Sequence, residues 1–349
     1  MSLLEETIAK IEPLRREAMN EAALRWKSLY LGMGNLGKME DMVTRYVGVT
    51  GDVIPEVPRG MMVIACADHG VYRQGVSAYP KETTVGMVKA YAMGAASANA
   101  MAHFGRMDMT IVDVGIDYDM SDVPEVLNRK IAWGTEDISE GPAMRRRDAV
   151  SSIEIGIEIA REKAREGYRV FTIGEMGISN TTSSACILGA FNHWNAAEVT
   201  GRGTNISDER LIHKTEIVQR ALDVNQPDAE DGLDVLSKVG GFEFGCMAGI
   251  ILGAAACRCL TIIDGFNTTA SAYIARSLCP LSAEYLMASH LSREEAHKKS
   301  LEALGLSEYI DLGFRLGESV GAGIQKRMLD MAIEMYRECV THEEAGVSV

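Results

Sequence analysis

Five short apolar runs, each ending in a glycine, an acid or a small polar residue, constrain this chain more than any other feature. Met61–Cys66 runs into Ala67-Asp68-His69-Gly70, Met109–Val112 into Asp113-Val114-Gly115, and Tyr168–Ile173 into Gly174-Glu175-Met176-Gly177. Leu260–Ile263 runs into Asp264-Gly265-Phe266, and Tyr285–Ala288 into Ser289-His290. Near-continuous hydrophobicity of this length marks strands covered on both faces. Helical patterns lie between and after them, over Val85–Phe104, Ala149–Arg165, Asp208–Leu222, Gly245–Cys257 and Arg293–Leu304. Alternating strand and helix implies right-handed crossovers, so the expected fold is α/β with a doubly wound, mostly parallel sheet. The outer segments are helical without strands. They predict a small helical domain built from both termini (1–50 and 318–349), beside a large domain over 51–317.

Composition narrows the function. Apolar residues make up 47% of the 349, enough for a sizeable core, while 6% aromatics argue against a sandwich. Thirty-four glycines against eight prolines suit tight strand-to-helix turns. A net charge of −14 excludes a general nucleic-acid binder, and the one basic run, Arg145-Arg146-Arg147, reads as a solvated helix start. The seven scattered cysteines read as buried thiols of a reducing cytoplasm; Cys257-Arg258-Cys259 lacks metal-site spacing. Ser2–Ala22 is a charged amphipathic pattern rather than a targeting segment, and no apolar run approaches the ~18 residues that span a bilayer. The expectation is a soluble cytoplasmic protein with no membrane partner.

In doubly wound sheets, ligands bind beyond the carboxyl ends of the strands. The richest segment there is Gly174–Thr182, where Glu175, Gly177, Ser179, Asn180 and Thr181 open a helix. Free backbone N–H groups at such a start suit a phosphate, and ordinary helix capping is the alternative. A second turn, with Gly201, Gly203 and Asn205, precedes a helix bearing Lys214. Lys214 reads either as a counter-charge to a bound nucleotide or as a solvated lysine paired along its helix. Asp68 and His69 adjoin, but no serine or cysteine elbow accompanies them. They read as structural, holding the loop that carries Ser77 and Tyr79. Asp264 suits a ribose hydroxyl or a helix cap. Arg315-Leu316-Gly317-Glu318 joins a strand-like piece (Tyr309–Leu312) to the last helix. The flanking glycines leave Glu318 little packed around it, as a general base over a cleft or as favourable N-terminal charge.

These segments in their shared order resemble the nicotinate-nucleotide:dimethylbenzimidazole phosphoribosyltransferase family. The matching pieces include Ala67–Val71 with Gly75–Pro80, Asp113–Ile116, Asn128–Ile131 with Gly134-Thr135, and Gly141–Met144. Gly174–Ile178, Gly201–Thr204, Asp264–Phe266, Arg315–Glu318 and Glu344–Ser348 complete them. The resemblance implies a Rossmann-like large domain, a small helical domain and assembly as a dimer. It also implies transfer of ribose 5-phosphate from β-nicotinate mononucleotide to an aromatic cobamide lower-ligand precursor, with inversion to an α-ribotide. Glu318 would be the catalytic base. Glu175, Lys214, Ser289 and Arg315 would line the substrate site. No cofactor or metal is expected, because the nucleotide is a co-substrate and its pyridinium leaves as a neutral ring.

The chain also departs from that pattern. Leu31–Gly37 lacks the lysine and proline of the family's N-terminal segment, and Gly86 stands where benzimidazole users carry a glutamine before Met87. Ser179 and Asn205 replace loop glycines. The resemblance then implies either a changed acceptor, such as phenol or p-cresol, or a weakly active structural partner in a heterodimer with a paralogous subunit. Retention of Glu175, Lys214 and Glu318 favours the first. A Rossmann-type oxidoreductase or sensor would need Gly-x-Gly-x-x-Gly after the first strand, and Met61–Gly70 offers none.

Overall fold

The computed structural model describes residues 1–30 and 36–347, so residues 31–35 of the altered N-terminal segment and Ser348-Val349 lie outside the described residues. Three helices come first: α1 (Leu3–Ile8), α2 (Arg16–Ser28) and α3 (Lys38–Thr50). Strand β1 (Gly60–Ala67) is followed by α4 (Thr83–Ala92), α5 (Ser97–Phe104), β2 (Met107–Gly115) and β3 (Val126–Asn128). Then come α6 (Arg146–Arg165), β4 (Val170–Met176), α7 (Asn180–Asn192), α8 (Ala196–Val199) and α9 (Asp208–Asn225). The remainder is α10 (Gly232–Val239), α11 (Phe242–Ala256), β5 (Leu260–Ile263), α12 (Phe266–Leu278), β6 (Leu286–Ala288), α13 (His297–Ala303) and α14 (Val320–Glu338).

The six strands form one sheet in the order β3-β2-β1-β4-β5-β6, every pair parallel. The order reverses between β1 and β4, which is where a doubly wound sheet leaves a crevice. All eight residues of β1 are buried, as its unbroken apolar run requires. Helix α11 is buried along nearly its whole length and packs tightly on α6. That crossing depends on glycine: a Cβ at Gly156 would come within 1.9 Å of the Cys246 carbonyl, and one at Gly249 within 1.9 Å of the Ile153 carbonyl.

The helices from the two termini meet. Helix α3 packs on both α2 and α14, and the Trp26 and Tyr336 rings lie 4.7 Å apart. Helix α14 also lies against β4 and β5, and one continuous core runs from Leu4 and Trp26 through the sheet to Tyr336. No helix among the described residues is long and apolar enough to cross a membrane.

Some expectations need correction. The single helix read over 85–104 is two, because Gly94 turns left-handed (φ +72°) and Asn99 caps the backbone of Ala96. Tyr309–Leu312 is no strand; only Ile310 bridges, to His290. The three-residue edge strand β3 carried no sequence signal. The basic run does open a helix, with Arg146 paired to Asp231.

Candidate active site

A cavity of about 600 Å³ opens beyond the carboxyl ends of β4 and β5, against the start of α14. One wall is made of carboxylates. Glu175 ends β4, Asp264 follows β5, and Glu318 precedes α14; all three line the cavity and each is at most 6% exposed. Glu318 is therefore not the loosely surrounded group its glycines suggested. Its backbone explains the burial. Gly317, Glu318 and Ser319 have φ of +83°, +59° and +62°, a left-handed run that side chains other than glycine rarely adopt. Gly174 in β4 makes room for it, since a Cβ there would lie 2.5 Å from the Ser319 nitrogen.

Burial dominates the protonation of these acids. It pushes Glu175 up to about 7, against hydrogen bonds from Asn267 and Asn180 that pull down and the Glu243 and Glu318 charges that push up. Asp264 rises to about 8, again chiefly by burial. Its Oδ1 accepts the Ala322 N–H at 2.9 Å, capping α14 from across the chain, while Oδ2 has no partner. Burial raises Glu318 too, and the Ser97 hydroxyl, 2.8 Å from Oε2, draws it back. No lysine or arginine among the described residues pairs with any of the three. The nearest imidazole, His290, stands 3.8 Å from Asp264, stacks on Phe314 and is driven down to about 4 by burial, so it is neutral near pH 7.

The facing side is built from the two glycine turns. Asn180 opens α7, and its amide donates to the Glu175 carboxylate while accepting from Asn267 at 3.1 Å. Gly177, Thr181, Gly203 and Asn205 line the cavity here, with Arg315 donating to the Asn205 side chain at 2.9 Å. Lys214 is not solvated: it is 1% exposed and donates to Thr181 Oγ1 at 2.9 Å and to the Gly201 carbonyl at 3.0 Å. Burial lowers it to about 8, opposed by Glu294, which leaves it mostly charged near neutrality. It lines a small recess behind the loops with Ser77, Ser179 and Thr204. The two residues in place of loop glycines, Ser179 and Asn205, both keep a left-handed backbone, with φ of +78° and +65°.

At the ends of β1 and β2 most of the polar groups are paired instead; Asp68, raised by burial, is the exception. His69 meets the Glu243 carboxylate at 2.5 Å and Ser183 at 3.1 Å, all buried. Burial alone would lower His69, but Glu243 outweighs it and raises its proton affinity. Asp113 accepts from the Gly115 and Ile116 N–H groups and pairs with Lys130 at 2.8 Å. Asp68 accepts the Asp117 N–H at 2.9 Å. No trio of His, Cys, Asp or Glu among the described residues is arranged to hold a metal.

Glu318, Glu175, Gly177, Asn180, Thr181, Gly203, Tyr79, Met87, Asp264 and Arg315 thus come together around one cavity, with Ser77, Ser179 and Lys214 at the adjoining recess. Gly86, Gly201 and Ser289 line neither. Ser289 is buried and donates to the Asp264 carbonyl at 2.9 Å, and a Cβ at Gly86 would meet open space. Sequence reasoning did not assign Ser97, Asn267, His290 and Glu294 to the cavity. Asn267 directly follows the Asp264-Gly265-Phe266 motif and was within reach of it; Ser97 contacts Glu318 from 221 positions away and left no local trace.

A family model described as phosphoribosyltransferase matches residues 11–347. The nicotinate-nucleotide–dimethylbenzimidazole phosphoribosyltransferase of Geobacter metallireducens is 42% identical over 347 residues, covering 99% of this chain and 98% of that protein. The protein of the same name from Desulforamulus reducens is 42% identical over 349 residues, covering 100% and 99%. The crystal structure of the phosphoribosyltransferase of that name from Thermus thermophilus superposes with a TM-score of 0.90 at 37% identity, over 95% of this chain and 99% of that one.

Proposed function

The chain belongs to the nicotinate-nucleotide–dimethylbenzimidazole phosphoribosyltransferase family, and from that premise we propose how its cavity carries out the transfer. The protein is a pentosyltransferase that moves the 5-phosphoribosyl group of β-nicotinate mononucleotide to an aromatic cobamide lower-ligand precursor. The observation that supports the placement of the chemistry is the wall of three buried carboxylates without a cationic partner among the described residues, facing a glycine-rich helix start.

The donor phosphate sits at the start of α7 between the two glycine turns, with Lys214 and Arg315 as counter-charges. The bond from C1′ to the pyridinium nitrogen breaks, and nicotinate leaves with its ring nitrogen neutral, so no acid is required. Positive charge builds on C1′ and the ring oxygen, as in glycosyl transfer generally. Glu175, raised to about 7 and so partly ionised near neutrality, supplies negative potential for that charge, while Asp264, raised to about 8, stays mostly protonated and can donate to a ribose oxygen. The acceptor lies toward Tyr79, Met87, Met176 and Leu316, an apolar seat for a flat ring. Its nitrogen or oxygen attacks C1′ from the face opposite nicotinate, giving the α-anomer, and its proton passes to Glu318. A carboxylate made more basic by burial suits the weakly acidic N–H of a benzimidazole or O–H of a phenol. Gly86, next to Met87 in the chain, carries no side-chain amide that could select between the two.

The test is product analysis. Purified protein is incubated with nicotinate mononucleotide and separate benzimidazole, purine and phenol acceptors, alone and with a paralogous chain. The expected result is one equivalent each of nicotinate and an α-linked ribotide from the protein alone. Activity only in the presence of the paralogue would make this chain a partner subunit. No ribotide under either condition, with tighter binding of NAD than of the mononucleotide, would overturn the reading.

A further inference from the structure

Glu318 reaches the cavity from a backbone fixed by its left-handed run, yet a glutamate side chain keeps three torsions of its own. Either carboxylate oxygen can meet an acceptor unless something holds one of them. The hydroxyl of Ser97 does so, donating to Oε2 at 2.8 Å. Ser97 is itself well anchored, as the first residue of α5. Asn99 ties that helix start down: its Oδ1 accepts the Ala96 N–H at 3.1 Å and its Nδ2 donates to the Tyr91 carbonyl at 3.0 Å. Ala98 is fully buried, packing the start of the helix into the fold. Ser97 also lines the cavity, within reach of whatever approaches Glu318.

We propose that Ser97 is a positioning residue for the base: by holding Oε2 of Glu318 it presents Oε1 to the acceptor's acidic N–H or O–H. The proposal rests on the reading of Glu318 as the base. Two physical consequences follow. A carboxylate with one oxygen pinned spends more of its time in the reactive geometry, which acts on the rate of the chemical step more than on donor binding. A hydroxyl that donates to the charged form also favours that form, against the burial that raises the proton affinity of Glu318. The other titratable groups facing Glu318 are Glu175 at the end of β4, Asp264 after β5 and Tyr91 on α4. Tyr91 lowers the proton affinity of Glu318 in the same direction as Ser97, and it is present in every Ser97 variant.

The experiment compares Ser97→Ala, Ser97→Thr and Ser97→Cys with the parent in steady-state kinetics against pH, with thermal unfolding as a fold control. For Ser97→Ala the expected kcat is roughly tenfold lower, the KM for nicotinate mononucleotide within about twofold, and the acid limb of kcat about one pH unit higher. The upward direction follows because loss of the donor lets Glu318 keep its proton to higher pH. Ser97→Thr keeps a hydroxyl and restores both readings. If the alanine variant does not fold, Ser97→Cys, similar in size and a poor donor, gives the same displaced limb. A Ser97→Ala enzyme with the parent's kcat and limb overturns the proposal, as does a threonine variant no better than alanine. Glu318→Gln separates this from the reading beneath it. If Glu318→Gln is inactive while Ser97→Ala is unchanged, only the positioning role falls; if Glu318→Gln is active, the base assignment falls first.

Discussion

Two groups of buried acids lie at the carboxyl ends of neighbouring strands and are treated in opposite ways. At β1 and β2, Asp113 pairs with Lys130 and Glu243 pairs with His69, so charge is met by charge. At β4, β5 and the start of α14, Glu175, Asp264 and Glu318 stand together with no lysine or arginine among the described residues paired to them. The imidazole beside them is held neutral by burial. Burying a charge is costly unless it is compensated. The first group meets that cost within the fold and serves as structure. The second has no such partner, and burial raises the proton affinity of all three acids instead. A strand end rich in acids therefore says little by itself, and Asp68 at the end of β1 is also buried without an ion pair among the described residues; what distinguishes the site is three such acids lining one cavity.

The largest expected effect breaks the paired group. Glu243→Gln leaves His69 buried without its carboxylate and should lower stability by about 3–5 kcal/mol in denaturant unfolding. Asp264→Asn, by contrast, should cost almost nothing, and equal losses at the two positions would erase the distinction. Next, Lys214→Ala should raise the KM for nicotinate mononucleotide by roughly 10- to 100-fold, the worth of a charge-assisted contact, with a smaller effect on kcat. A third effect is in the pH dependence of stability. Asp264 has an ordinary value of 3.8 and is raised to about 8 in the fold, so the native state keeps a proton that the unfolded chain has lost. Stability from this group is present below pH ~4 and is lost as pH rises toward about 8. Thermal unfolding of the parent should therefore decline across that window relative to Asp264→Asn. The smallest effect concerns the left-handed loop position. Ser179→Gly relieves a φ of +78° and removes a buried hydroxyl without a partner, and should stabilise by about 0.5–1 kcal/mol.

The sequence carried the sheet well because its strands are buried on both faces, and burial of that kind writes itself as near-continuous apolar runs. It carried β3 poorly, since three residues at an edge need no pattern at all. Periodicity alone reads one helix over 85–104, because the break at Gly94 depends on Asn99 reaching back to Tyr91, a contact that periodicity does not encode. The glycine turns and the strand-end acids were legible as motifs. Their consequences were not: that Lys214 is buried behind the loops, and that Glu318 is enclosed by a glycine in β4 and held by Ser97, are products of contacts more than 30 positions apart. Motif order located the site, and only packing revealed which of its charges lack a partner.

Glu318, buried without a lysine or arginine partner among the described residues, is proposed as the base at a cost in stability. The direct measurement is Glu318→Gln, read at once in kcat and in thermal unfolding. The expected result is at least about a hundredfold loss of kcat, the usual worth of a positioned base, with an unfolding temperature equal to or above the parent's. A variant that keeps its activity, or one that loses activity only because it no longer folds, would contradict it.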